Sequence, residues 1–213
     1  GHPVRSGTHS LRFEVRDGDC NSNLGWNDCT TDRSRHELSQ AWKKNTQRGD
    51  PYHPNTDGDE YWYSWSMYLP DDVLVQGDSA TFIGQFNSDN SARFYLQDFA
   101  AGFGYTFNDR NYDLISQRVI QPNQTVRGTW TDIAMHVIWS TTQTGLIELY
   151  VNGELLETLT GPNMDGATRT TFDIGIYNAF ISRCDCDTMP TQVVYYDNLR
   201  RGLTLSDIHL PDQ

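Results

Sequence analysis

Positive charge is in short supply in this chain. Its 16 Lys and Arg stand against 28 Asp and Glu, a net charge of −12, which argues against a nucleic-acid-binding or polyanion-coating role. Long apolar runs are missing as well. Nothing in the 213 residues reaches transmembrane length, and Gly1-His2-Pro3 does not open a signal peptide, so an export signal is expected to have been removed or never to have existed. Cysteine is scarce: the four residues form no Cys-x-x-Cys pairs and no His-x-x-x-His spacing accompanies them, which excludes the usual structural zinc sites. Nucleotide-binding loops, serine triads and EF-hand loops are absent from the sequence, and helix signals are few.

What is present is aromatic and alternating. Phe, Trp and Tyr make up 12% of the chain, with 11 Tyr and 6 Trp, and charged residues are 21%, a globular composition. At 24.4 kDa the chain is long enough for one large core, and all-β folds of this size are often single domains, so residues 1–213 are read as one domain. Leu11, Phe13 and Val15 alternate with Arg12, Glu14 and Arg16, the signature of a half-buried strand. Further strands are expected over Tyr61 to Leu69, Thr81 to Phe86, Ala92 to Asp98, Gly102 to Asn108, Ile133 to Ser140, Phe172 to Asn178 and Gln192 to Arg200. Asn152-Gly153 predicts a two-residue hairpin between Leu146 to Val151 and Glu154 to Leu159. Short helical turns are expected over Ser39 to Gln47 and Leu205 to Ile208. Evenly spaced short strands without repeats or linkers predict an all-β, two-sheet antiparallel jelly roll whose concave face is a groove for an extended polymer.

Cys20 and Cys29 flank an Asn/Asp-rich loop, and a disulfide between them needs little chain travel. Cys184 and Cys186 read as a local bridge, as a reactive thiol pair, or as partners of the first two. Disulfides favour an oxidising compartment, and the sequon Asn123-Gln124-Thr125 is compatible with secretion.

Three distant segments carry the chemistry: Arg35-His36-Glu37-Leu38, Gly84-Gln85-Phe86-Asn87 and Gly175-Ile176-Tyr177-Asn178. Each lies in a strand-like stretch, and together they offer a cation, an amide and a phenol. A uronic acid gives up its C5 proton reluctantly because the neighbouring carboxylate is already charged. A donor that neutralises this carboxylate stabilises the developing enediolate by about 3–4 kcal/mol. Gln85 suits the task as a neutral amide; its structural alternative is a buried Gln satisfying a neighbouring strand. Tyr177 is the candidate for moving a proton, with Arg35 as a cation that lowers its pKa or grips an adjacent carboxylate. His53, in the loop Asp50-Pro51-Tyr52-His53-Pro54-Asn55, is the candidate general base, because its ordinary pKa near 6.5 suits proton abstraction. His36 faces away if Arg35 and Glu37 face the groove, and His136 reads as a core histidine. Arg12, Glu14, Arg35 and Glu37 form either a ladder of charge pairs or subsites, and Arg93 is a further subsite candidate. Trp62 and Trp65 are candidates for stacking on sugars, core packing being the alternative.

The sequence resembles the jelly-roll polysaccharide lyases, above all the glucuronan lyase family and its heparin lyase I-like relatives. The resemblance runs along Gly7-Thr8-His9-Ser10-Leu11-Arg12-Phe13-Glu14, Arg35-His36-Glu37-Leu38-Ser39, Gly58-Asp59-Glu60-Tyr61-Trp62-Tyr63-Ser64, Ile83-Gly84-Gln85-Phe86, Trp130-Thr131-Asp132-Ile133, Val151-Asn152-Gly153, Ile174-Gly175-Ile176-Tyr177 and Tyr195-Tyr196-Asp197-Asn198. Alginate lyases of similar fold carry an Arg-x-Glu-Leu strand, a Gln-x-His strand and a Gly-x-Tyr-Asn strand. This chain has Asn87 in place of that histidine, a departure from the alginate pattern.

The resemblance implies an endo-acting, secreted, monomeric lyase that cleaves a β-1,4-linked polyuronate, glucuronan first, by β-elimination. Its catalytic set would be His53, Gln85, Tyr177 and Arg35, with Glu37, Asn87, Arg93, Arg12 and Asn178 binding substrate. Catalysis would need no cofactor. Asp197 resembles the end-strand Asp that binds a structural calcium in many jelly-roll carbohydrate proteins. The partner is an acidic polysaccharide, with no nucleic acid and no membrane involved, and heavily sulfated polymers are disfavoured by the −12 charge. The alternatives are an alginate lyase and a non-catalytic, lectin-like domain. A laminarinase-type hydrolase needs two carboxylates about 5–9.5 Å apart. The nearest stretch, Glu148-Leu149-Tyr150-Val151-Asn152-Gly153-Glu154, lacks the middle acid.

Overall fold

Among the described residues the period-two pattern becomes twelve strands: β1 (Leu11–Val15), β2 (Arg33–Ser39), β3 (Glu60–Tyr68), β4 (Ala80–Ser88), β5 (Ser91–Phe99), β6 (Gly102–Asn108), β7 (Leu114–Pro122), β8 (Trp130–Ile138), β9 (Leu146–Val151), β10 (Glu154–Thr160), β11 (Thr170–Ala179) and β12 (Gln192–Gly202). The computed structural model describes residues 1–22, 27–71, 79–88 and 91–208, the side chains of 91–93 excepted. The strands form two six-stranded sheets, one in the order β1-β12-β3-β8-β9-β10 and the other in the order β2-β11-β4-β5-β6-β7. Pairing within both is antiparallel. This is the jelly roll expected from the sequence.

Alternate side chains of both sheets meet in one aromatic-rich core, including Tyr63, Trp65, Phe86, Phe94, Phe172 and Tyr196. Trp65 thus packs inside, whereas Trp62, three positions earlier and so of opposite parity, points out of the first sheet and stacks on His136 at 4.4 Å. His136 is therefore not a core residue; it sits between Glu60 and Glu148, 2.8 Å from each.

One local expectation fails, and one strand goes unforeseen. No helix forms over Ser39 to Gln47, because Ser39 ends β2 and Gln40 continues the pairing, its N–H donating to the Phe172 carbonyl. Asn45 also has φ +61°, in the left-handed region that breaks a right-handed helix. Conversely, β7 is a strand that alternation does not reveal. It lies at a sheet edge, and Leu114, Ile115 and Val119 are all exposed, so it has no buried face to leave a period-two trace. Cys20 and Cys29 are bonded to each other, as expected. Of the three readings of Cys184 and Cys186, the local bridge is the one found.

Two of the second sheet's irregularities bear on the site. The register slips between Ile174 and Tyr177 on β11 and between Phe82 and Gly84 on β4, the signature of β-bulges. The Tyr196 hydroxyl reaches across the core from β12 and donates to the Ile83 carbonyl, and it lies 3.2 Å from the Gly175 carbonyl. Carbonyls that leave the ladder at the bulges thus find a buried donor.

Candidate active site

The sheet order β2-β11-β4 lays the three chemistry-bearing segments side by side. Tyr177 pairs with Arg35 on one side and with Phe82 on the other, and Gln85 pairs with Asp173. Phe172, Ile174 and Ile176 of β11 enter the core, so Asp173, Gly175 and Tyr177 face outward. By the same parity Arg35 and Glu37 of β2 face outward, while Ser34 is buried behind them. On β4 the bulge lets Phe82 and Gln85 share that outer face although they stand three positions apart, and Asn87 follows. Arg35, Glu37, Gln85, Asn87 and Tyr177 are therefore brought together.

Gly175 makes the arrangement possible. Its φ is +137°, and a Cβ there would lie 2.2 Å from the His36 carbonyl oxygen and 2.7 Å from the Glu37 Cα. With no side chain between β2 and β4, Glu37 reaches across β11, and Gln85 Nε2 donates to its Oε1 at 2.7 Å. Gln85 is only 3% exposed, and Nε2 keeps a second N–H for another acceptor.

The tyrosine is gripped by two guanidinium groups. Arg33 Nε donates to the Tyr177 hydroxyl at 2.8 Å, and the Arg35 guanidinium lies 4.1 Å from the ring centre. Burial pushes the Tyr177 hydroxyl above its ordinary pKa, and the charges of Arg33 and Arg35 oppose that shift. Both parts expected of Arg35 are seen, since its charge pulls the Tyr177 pKa down and it grips an adjacent carboxylate, while the hydrogen bond to the hydroxyl comes from Arg33. Arg35 is occupied elsewhere, its Nε and Nη2 donating to the two Asp28 oxygens at 2.6 and 2.7 Å, a bidentate pair. Asp28 is 1% exposed and sits beside Cys29, so the Cys20–Cys29 disulfide pins the turn that holds Arg35. A cavity of about 250 Å³ opens next to this turn, walled by Asp28, Asp32, Arg33 and Ile181.

Two carboxyl groups lie at the base of the face. Burial, and then the neighbouring Asp173 carboxylate, push Glu37 up to about 8, against the pull of Arg35 and the Gln85 hydrogen bond. Burial raises Asp173 to about 6, opposed by Ser39, Asn87 and Arg35.

Four expected site residues are not part of this cluster. His53 lies in the β2–β3 connection with both ring nitrogens engaged, Nε2 3.0 Å from Asp59 and Nδ1 3.3 Å from Thr46. The structure therefore places His53 outside the Arg35–Gln85–Tyr177 cluster, against Asp59 and Thr46. His53→Ala is accordingly expected to lower stability by about 1–2 kcal/mol through the lost buried hydrogen bond while leaving kcat within about threefold. Urea unfolding and initial rates on the same preparation check both halves. Asn178 alternates with Tyr177 and so points inward, fully buried between Ser34 and Thr81. Arg12 belongs to the other sheet, bonded to Glu14 and to the Tyr195 hydroxyl; the four-member charge ladder with Arg35 and Glu37 does not form. The Asp197 carboxylate takes backbone N–H groups of Arg5 and Ser6 on one oxygen and of Asn198 on the other. Amide donors point where a calcium ion would sit, so these residues do not fit the cation, and the described residues contain no group of three or more potential metal ligands. The side chain of Arg93 lies outside the described residues.

Arg33, Asp28 and Asp173 complete the cluster and were not singled out in the sequence. Arg33 and Asp173 were within reach of it, each standing two residues before a motif residue on the same strand face. Asp28 left no periodic trace, because it comes from a turn.

The polysaccharide lyase family profile matches residues 2–200. Among solved structures, an endo-β-1,4-glucuronan lyase from the fungus Trichoderma reesei superposes with a TM-score of 0.70 at 17% identity, covering 96% of this chain and 85% of that one. An alginate lyase of polysaccharide lyase family 7 gives a TM-score of 0.62 at 14% identity over 92% of this chain and 79% of its own. An alginate lyase from Pseudomonas aeruginosa gives 0.57 at 16% identity over 92% and 83%. At these identities the structures speak for the fold. No curated protein matches the chain.

Proposed function

The chain belongs to the polysaccharide lyase family, and from that premise we propose that it cleaves a β-1,4-linked polyuronate, glucuronan foremost, by endo-acting β-elimination. The observation that carries the reading is the pairing of an amide with a spare N–H, Gln85, and a phenol under a guanidinium donor, Tyr177, on adjacent strands of one face. In this reading Gln85 hydrogen-bonds the uronate carboxylate and stabilises the enediolate that forms as the C5 proton leaves. Tyr177 moves the proton in both directions. As tyrosinate, stabilised by the Arg33 N–H and the charge of Arg35, it takes the proton from C5. The C4–O4 bond breaks, C4 and C5 become doubly bonded, and the same proton passes to the departing O4. One residue reaches both atoms because the C5–H and C4–O bonds of a glucuronate chair lie on the same side of the C4–C5 bond. His53 has no part in this scheme, and no cofactor or metal enters it.

The charge around the site favours a carboxylate polymer over a sulfated one. Arg33 and Arg35 share the face with Asp28, Glu37 and Asp173, so it offers specific donors rather than a broad positive field. Asn87, where the alginate enzymes have histidine, ranks alginate second. The acting form is proposed to be a secreted monomer, a single domain over residues 1–213, and the two disulfides support an oxidising compartment. The test is a panel of glucuronan, alginate and heparin followed by ultraviolet absorbance of new 4,5-double bonds. Glucuronan is expected to give product fastest. Binding without any rise in absorbance overturns the lyase reading in favour of a lectin-like one.

A further inference from the structure

Glu37 has no task in the scheme above, yet it is the closest partner of the residue that meets the substrate carboxylate. Its side chain is 8% exposed, and its Oε1 holds the Gln85 amide at 2.7 Å over the gap left by Gly175. A full negative charge is poorly supported there. On its own strand, Arg35 spends Nε and Nη2 on Asp28 and leaves only Nη1 for Glu37, at 3.4 Å. From β11, Asp173 adds a second buried carboxyl, and Asp28 adds another negative group from the preceding turn. From β4 the facing group is the neutral Gln85 amide, and from β12 it is the Tyr196 hydroxyl, already committed to backbone carbonyls.

Resting on the lyase reading, we propose that Glu37 is a positioning residue which must be a neutral acid for the substrate carboxylate to dock. Protonated, its O–H donates to the amide oxygen of a turned Gln85, and both amide N–H groups then face the incoming uronate. Ionised, it draws Nε2 back to Oε1 and sets a second negative charge behind the place where the substrate carboxylate sits. Two carboxylates so close cannot both be charged at low cost. Substrate binding and Glu37 ionisation therefore exclude one another, and binding above the Glu37 pKa takes up a proton. With Glu37 near 8, this competition falls in the mildly alkaline range.

The consequence is read in KM rather than in kcat. For the wild type on glucuronan, KM is expected to be flat below pH 8 and to rise toward tenfold per pH unit above it, as the docking-competent fraction falls. Glu37→Gln cannot ionise and can still support the amide, so its KM is expected to stay flat from pH 6 to pH 9.5. Glu37→Ala is expected to lose the pH dependence too, but with a lower kcat, since Gln85 is left without its support. Calorimetry with a glucuronan oligosaccharide at pH 9, in two buffers of different ionisation enthalpy, should show close to one proton taken up by the wild type and none by Glu37→Gln. A merely structural role would move neither the KM profile nor the proton count. Equal KM rises in wild type and Glu37→Gln, with product formed by both, overturn this inference and leave the lyase reading standing. Absence of unsaturated product from the wild type at every pH overturns the lyase reading, and this inference with it.

Discussion

Tyr177→Phe is expected to lower kcat by about four orders of magnitude while the protein stays folded. The substitution removes one oxygen and keeps the ring, so the contact with Phe82 at 5.7 Å and the guanidinium of Arg35 at 4.1 Å both persist. Arg33 also retains an acceptor in the Thr31 carbonyl. What is lost is the group that both takes and returns the proton, so no compensating step remains. The sign of the pH effect follows from the same residue. Burial raises the hydroxyl above its ordinary pKa, tyrosinate is the basic form, and wild-type kcat should therefore climb with pH through the alkaline range. Initial rates from pH 6 to pH 10, with thermal unfolding as a check on folding, test the expectation. A Tyr177→Phe variant with ordinary turnover ends the mechanism proposed here.

Gln85→Ala should cost about two to three powers of ten in kcat, the size found when one preorganised oxyanion donor is removed. KM should change far less, because many contacts across the face hold the polymer while this one grows stronger as charge moves onto the carboxylate. The kcat-against-KM split separates the catalytic reading from the structural one. If Gln85 only satisfied neighbouring strands, its removal would appear as lost stability in urea, with kcat close to wild type.

The strands were legible wherever one face was buried, and the triplet on β2, β4 and β11 needed only alternation plus the assumption that the three strands are neighbours. Parity held further than it was used: Asn178 follows Tyr177 directly, and that alone put it on the inner face. Arg12 was misplaced for a different reason. Alternation says which residues of a strand share a face but not which sheet the strand joins, and β1 pairs with β12 rather than with β2. His53 lies in a connection without periodicity, where a sequence shows that a titratable group exists but not what it touches. Its partners, Asp59 and Thr46, are near in sequence, yet only the path of the loop turns all three toward one another. Asp28 depends on a turn closed by a disulfide, and the reach of Glu37 to Gln85 depends on an intervening glycine. Both are properties of the assembled sheet.

The hydroxyl of Tyr196 makes the interior answerable for the rate. It is one donor shared between the Ile83 and Gly175 carbonyls, and those two bulges aim Gln85 and Tyr177 from opposite sides of the same gap. A core residue thereby sets the spacing of the two proposed to meet the polymer. Repacking around Tyr196 that leaves the melting temperature untouched can still alter turnover, because a bulge displaced by a fraction of an ångström remains a stable bulge. Thermostability screens of this fold would pass such variants and lose the enzyme, so selection at this core position has to be made on product formed rather than on protein surviving.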